Sequence, residues 1–176
     1  ITVTVRLAAP SVTGYNSENS GKYASQQQKK SAQVKNMFLS GLQNSDATIY
    51  LGHARSGGGP DFLPPVLTGG GNVNYSHYKS KQAGIKSMIG ALNSASEPSS
   101  VIGVLACKST GLSSSRIRKA ASDSVIVTAD DLFDYNDILP TGFAMVEAIA
   151  SQRCGDDFTQ VTKVQPASKK FLKVFY

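Results

Sequence analysis

The chain has 176 residues, the size of one domain and tight for two. It is 40% hydrophobic and 17% charged, which excludes long disorder, and no run approaches the roughly 18 apolar residues that cross a bilayer. Eighteen Lys plus Arg against 12 Asp plus Glu give a net charge of +6, a field that favours anionic partners, yet the basic residues are dispersed and do not interleave with aromatics, so no specific nucleic-acid binding is expected.

Residues 1–7 alternate apolar and polar and are β-branched, which predicts a strand. Residues 10–26 are polar punctuation and predict a long surface loop. From about 28 to 43, Val34, Met37, Phe38, Gly41 and Leu42 share one stripe, the pattern of an amphipathic helix. Ala47 to Leu51 reads as a buried strand that ends at Gly52-His53. Residues 55–79 hold two glycine runs, at 57–59 and 69–71, and predict a second long, flexible loop. A helix follows over 81–95, with Ile85, Met88, Ile89 and Leu92 on one face. Val101 to Ala106 is the most apolar run and stops at Cys107. Then come a short helix at 113–122, a strand at 124–129, a helix near 141–153, and strands at 158–164 and 170–176.

Strands alternate with helices, and the internal strands are apolar throughout. That pattern predicts an α/β domain of three layers, α-β-α, with a mostly parallel, doubly wound sheet and no internal boundary over 1–176. In such sheets the ligand site lies outside the carboxyl ends of the strands. Two of the apolar strands end there at His53 and at Cys107. If the strands are neighbours, about 4.8 Å apart, an imidazole and a thiol meet at one rim. A thiol nucleophile with a histidine proton carrier is the equipment of acyl transfer.

The two cysteines and two histidines have no metal-ligand spacing, so neither a metal nor a cofactor is expected. A Cys107–Cys154 disulfide is the alternative in an oxidising compartment. His77, in Asn74-Tyr75-Ser76-His77-Tyr78, is the other candidate base and is expected in a solvent-facing loop. Ser76-His77-Tyr78-Lys79 matches the short Ser-x-x-Lys pattern, which recurs by chance.

Ile49-Tyr50-Leu51-Gly52-His53-Ala54-Arg55, followed by Val101-Ile102-Gly103-Val104-Leu105-Ala106-Cys107, resembles the caspase-like clan of cysteine peptidases. That clan includes caspases, legumains, gingipains, clostripain and the self-cleaving domains of bacterial toxins. The Gly-His-x-Arg stretch is most similar to the toxin domains. Ala106-Cys107-Lys108-Ser109 also resembles caspase-like domains of bacterial and plant proteins. The motifs cover about residues 45–110, and the remainder matches only in the order of elements.

The resemblance implies a caspase-like fold and a cysteine endopeptidase, self-processing in some members, that acts on a polypeptide substrate. His53 and Cys107 would form the dyad, with the backbone N–H groups of Ala54 and Cys107 as the oxyanion hole. Ala54 stands where the clan usually has glycine, and Leu105 where caspases and legumains have a polar pocket residue. Asp130 and Asp131 are candidates to line a pocket for a basic side chain, against the plainer reading of a strand-to-helix cap. The toxin domains imply a polyanion activator, for which the scattered Lys and Arg give no residue-level support. The other reading is a catalytically inactive caspase-like module that recognises protein. The start at Ile1 predicts a processed chain and hence a secreted or periplasmic one.

Overall fold

A computed structural model describes residues 2–132, 134–163 and 166–176. Four strands, β1 (Ala47–Leu51), β2 (Val101–Leu105), β3 (Val125–Ala129) and β4 (Leu172–Phe175), form one open sheet in the order β1-β2-β3-β4. The first three are parallel and β4 runs antiparallel to β3. The molecule is thus an α/β protein with a mostly parallel sheet.

Helices cover both faces. α2 (Ala24–Asn44), α4 (Ala83–Ser94) and α5 (Ser115–Ala120) pack Val34, Phe38, Leu42, Ile85, Met88, Leu92 and Ile117 onto Tyr50, Ile102, Val104 and Ile126. On the opposite face, α6 (Tyr135–Ala150) and α7 (Gly155–Thr162) bring Ile138, Met145, Ala148 and Phe158 against Leu105, Val127 and Leu172. β2 is buried from both sides, which is why its sequence is an unbroken apolar run. Gly103 leaves room for Met145 of α6: a Cβ there would stand 2.9 Å from Met145 Cε.

Several expectations are corrected. Residues 2–7 form no strand; they are exposed and make no backbone hydrogen bond among the described residues, and Ile1 lies outside them. The 10–26 stretch holds a short helix, α1 (Asn16–Ser20), and the start of α2. α2 begins early because its first buried positions are polar. Gln27 donates to the Pro10 carbonyl and to Ser31 Oγ, both at 2.7 Å, and accepts the Val12 N–H at 3.0 Å. Residues 158–162 are helical, not extended; Phe158 and Thr162 share the buried face, and Asp156 and Asp157 favour the first turn. Of that expected strand, Val164 lies outside the described residues. α6 starts at Tyr135, ahead of the expected 141, because the Asp134 carboxylate caps the Asn136 N–H at 2.8 Å.

The 55–79 stretch is not a plain loop. It contains a single helical turn at Arg55–Gly57, a Leu67–Val73 bridge, and α3 (Tyr75–Lys81). Its first glycine run is locked, not flexible. Gly59 has φ +85°, and a Cβ there would stand 2.2 Å from the Ile85 nitrogen. The Ile85 N–H donates to the Gly58 carbonyl at 2.9 Å, which ties this turn to α4. Among the described residues, no helix is long and apolar enough to cross a membrane.

Candidate active site

The strand register decides which side chains meet. Leu51 pairs with Leu105, and the pairing continues as the Gly52 N–H donates to the Leu105 carbonyl at 3.2 Å. His53 and Cys107 each follow their paired leucine by two residues, so they leave neighbouring strands at the same carboxyl edge. Adjacent strands lie about 4.8 Å apart. His53 is exposed and Cys107 half-buried.

The chain after β1 is held by a polar network that the apolar reading of its sequence missed. The Tyr50 side chain is buried against Phe38 and Phe62. Its hydroxyl accepts the Asp61 N–H at 2.9 Å and stands 3.1 Å from the carbonyls of both His53 and Asp61. Arg55 Nε donates to Asp61 Oδ2 at 3.0 Å in a largely buried ion pair. The Arg55 guanidinium lies 5.7 Å from the Tyr78 ring centre, and the Tyr78 hydroxyl accepts the Val66 N–H at 2.9 Å. Together these contacts hold Arg55 and Ser56 in the left-handed region, at φ 45° and 53°.

The same network sets the histidine's charge. Although His53 keeps open surface, the surrounding protein partly desolvates its ring and holds its pKa below the usual 6.5. The Arg55 charge pushes in the same direction, and Asp61 opposes it. A neutral imidazole able to accept a proton at neutral pH follows. Burial also raises the Tyr78 hydroxyl above its usual value of 10.0, against the opposing pull of the Val66 N–H.

Ala54, which stands where glycine is usual in the clan the sequence resembles, follows His53. Its φ of −84° and ψ of −14° suit alanine without strain, and it is buried in the α2–α4 side of the core. Its N–H has no backbone acceptor among the described residues.

Beyond β2, the turn that carries Cys107 is pinned from three sides. Lys108 adopts φ 56°, unusual for a residue with a side chain, and its N–H donates to the Asp131 carbonyl at 3.0 Å. Buried Ser109 donates to the Val104 carbonyl at 2.7 Å and accepts the Ala129 N–H at 2.9 Å, joining β2 to β3. Thr110 Oγ1 meets Thr128 Oγ1 at 2.8 Å. A helical stretch, Thr110–Ser114 running into α5, then leads away on the α2–α4 face, whereas the chain after β3 turns to α6 on the other. The loops therefore part between β2 and β3, beside Cys107.

The other expected site residues lie as follows. Leu105 is fully buried beneath α6 and lines no cleft, because its place in the strand turns it into the core. Asp130 is paired with Lys173 of β4 at 3.1 Å. The Asp131 carboxylate accepts the Leu132 N–H at 2.8 Å, a local turn contact. His77 sits on α3 and not in a loop, half-buried, with its N–H capped by Asn74 at 3.0 Å. Cys154 lines a cavity of about 210 Å³ with Val101 and Val125, the first residues of their strands. Cys107 and Cys154 sit at opposite ends of the sheet, so no disulfide joins them. The sequence assigns no role to Tyr50, Asp61 or Ser109; its only signals toward them are the Ser in Ala-Cys-x-Ser and the Arg in Gly-His-x-Arg.

Comparison of the chain with protein-family models, with curated proteins and with solved structures finds no match to any of the three.

Proposed function

We propose that this chain is a cysteine endopeptidase of caspase-like type, its sheet and flanking helices being a caspase-like, doubly wound α-β-α arrangement, and that His53 and Cys107 form its catalytic dyad. The observation that supports the reading is the register of β1 and β2, which puts a histidine and a cysteine two residues past a paired Leu51 and Leu105.

In this mechanism the Cys107 thiol gives its proton to neutral His53 as sulfur attacks the scissile carbonyl of a polypeptide. The oxyanion accepts hydrogen bonds from the N–H groups of Ala54 and Cys107. One such preorganised donor is worth about 3–4 kcal/mol in the transition state. The imidazolium protonates the leaving amine as the C–N bond breaks, which leaves a thioester on Cys107. His53 then takes a proton from water, the hydroxide displaces sulfur, and the thiol returns with a free carboxylate product. Asp130 is tied to Lys173 and Asp131 to its own turn. A preference for basic side chains therefore gains no support from either.

The test is peptide turnover, including cleavage of the chain itself, by the parent protein and by Cys107→Ala, His53→Ala and His77→Ala. The proposal expects the first two variants to lose turnover while the third retains it. Turnover that survives Cys107→Ala overturns the proposal, as does a parent protein that cleaves neither itself nor a diverse peptide library.

A further inference from the structure

The segment that sequence patterning marks as a strand and the edge of the sheet that lacks one belong together. Val3, Val5 and Leu7 are among the exposed large hydrophobic side chains, Leu7 at 77%. β1 is an edge strand. Its even-numbered backbone groups face β2: the Asp46 carbonyl accepts the Val101 N–H, and the Gly52 N–H donates to Leu105. By alternation the N–H groups of Ile49 and Leu51 point to the open side. Beside that edge lies an apolar corner. Leu51 packs so closely on α6 that a Cβ on Gly142 would stand 3.0 Å from it, and the neighbouring Leu139 and Phe143 are 50% and 63% exposed.

Three geometrical facts select the occupant. First, α2, α4 and α5 lie on one face, and the chain advances β1-β2-β3 through α4 and α5. A strand preceding α2 that crosses over in the same sense falls on the far side of β1, the open edge. Second, the segment is already tethered at the right height. Gln27 holds Pro10. Gln27 stands about 26 Å along α2 from Asn44, and β1 is about 17 Å tall, so Pro10 lies about 9 Å beyond the carboxyl end of β1. Three extended residues span about 10 Å, which brings Leu7 level with Leu51, Val5 with Ile49 and Val3 with Ala47. Third, in that register Val3, Val5 and Leu7 point to the same face as Ile49 and Leu51, towards Leu139 and Phe143.

We propose that the open edge of β1 is a docking site for residues 2–7 of the same chain, which add to the sheet as a further parallel strand and cover the Leu51–Leu139–Phe143 corner. The exposed segment is then the released state of a two-state element whose docked state closes the sheet. The proposal does not depend on peptidase activity.

The test is amide hydrogen exchange of the whole chain against two variants: Arg6→Pro, which removes the N–H that faces the Ile49 carbonyl in this register, and Val3→Thr with Val5→Thr, which keeps β propensity but removes the apolar face. The Ile49 and Leu51 amides should exchange about tenfold faster in both variants, while Ile102 and Ile126 stay protected and so report an intact fold. Equal exchange of Ile49 and Leu51 in the parent and the double-threonine variant overturns the proposal. Protection that grows with protein concentration also overturns it, because a second copy would then be the occupant.

Discussion

Ser109→Ala tests how the cysteine's turn is held. The Ser109 side chain is 2% exposed, and its hydroxyl serves two main-chain groups of different strands. The Val104 carbonyl keeps a partner without it, since the Ala106 N–H also donates there at 3.1 Å. The Ala129 N–H does not, and it lies at the fully buried end of β3. An orphaned buried donor costs about 1–3 kcal/mol. For a chain of this length each kcal/mol moves the melting temperature by about 2–4 °C, so a mid-range loss lowers it by about 4–8 °C. Scanning calorimetry against Ser122→Ala supplies the measurement. Ser122 is exposed and its hydroxyl reaches only the neighbouring Asp123 at 3.3 Å. A Ser109→Ala melting temperature equal to that of the control would refute the claim that this hydroxyl joins the two strands.

Gly59→Ala should be more damaging still, by about 3 kcal/mol or more, because the methyl group meets the Ile85 backbone at a left-handed position; chemical denaturation reads it, and a loss below about 1 kcal/mol contradicts the locked turn. Asp61→Asn leaves Arg55 without its partner and should cost about 3 kcal/mol by the same assay. The same variant should lower the His53 pKa further, whereas Arg55→Gln should raise it, as followed by NMR titration of the ring; shifts of the same sign in both would refute the charge assignment. Because the folded pKa of His53 lies below 6.5, the unfolded chain binds the proton more readily. His53's contribution to stability is therefore complete above about pH 6.5 and falls as pH drops through the folded pKa. His53→Gln should flatten that acid limb, and an unchanged limb would contradict the shift.

The parts of the fold that could be read from the sequence are those fixed by apolar periodicity. The Val34–Phe38–Leu42 stripe marks α2, and three apolar runs mark β1, β2 and β3. The placement of His53 and Cys107 at strand ends was legible for the same reason. Where polar groups are buried, patterning fails. Gln27, backed by Ser31, extends α2 through its contacts with Val12 and Pro10, 15 and 17 positions earlier, which no local window contains. Tyr50 reads as one more core aromatic, yet its hydroxyl organises the His53 loop through Asp61, 11 positions on. Phe158-Thr159-Gln160-Val161-Thr162 has strand-like composition, but α7 places it as a helix over the β2–β3 side of the core. Residues 2–7 show the reverse case: strand patterning without a partner in the structure.

The most direct measurement of the dyad is the relative rate at which iodoacetamide labels the two thiols, read by peptide mass spectrometry. Cys154 is exposed and Cys107 only half-buried, so accessibility alone makes Cys154 the faster. A histidine that takes the Cys107 proton reverses that order, and His53→Ala restores it. Faster labelling of Cys107 in the parent protein, lost in His53→Ala, is the result the account predicts; Cys154 labelling first, with the ratio unchanged by the histidine, would contradict it.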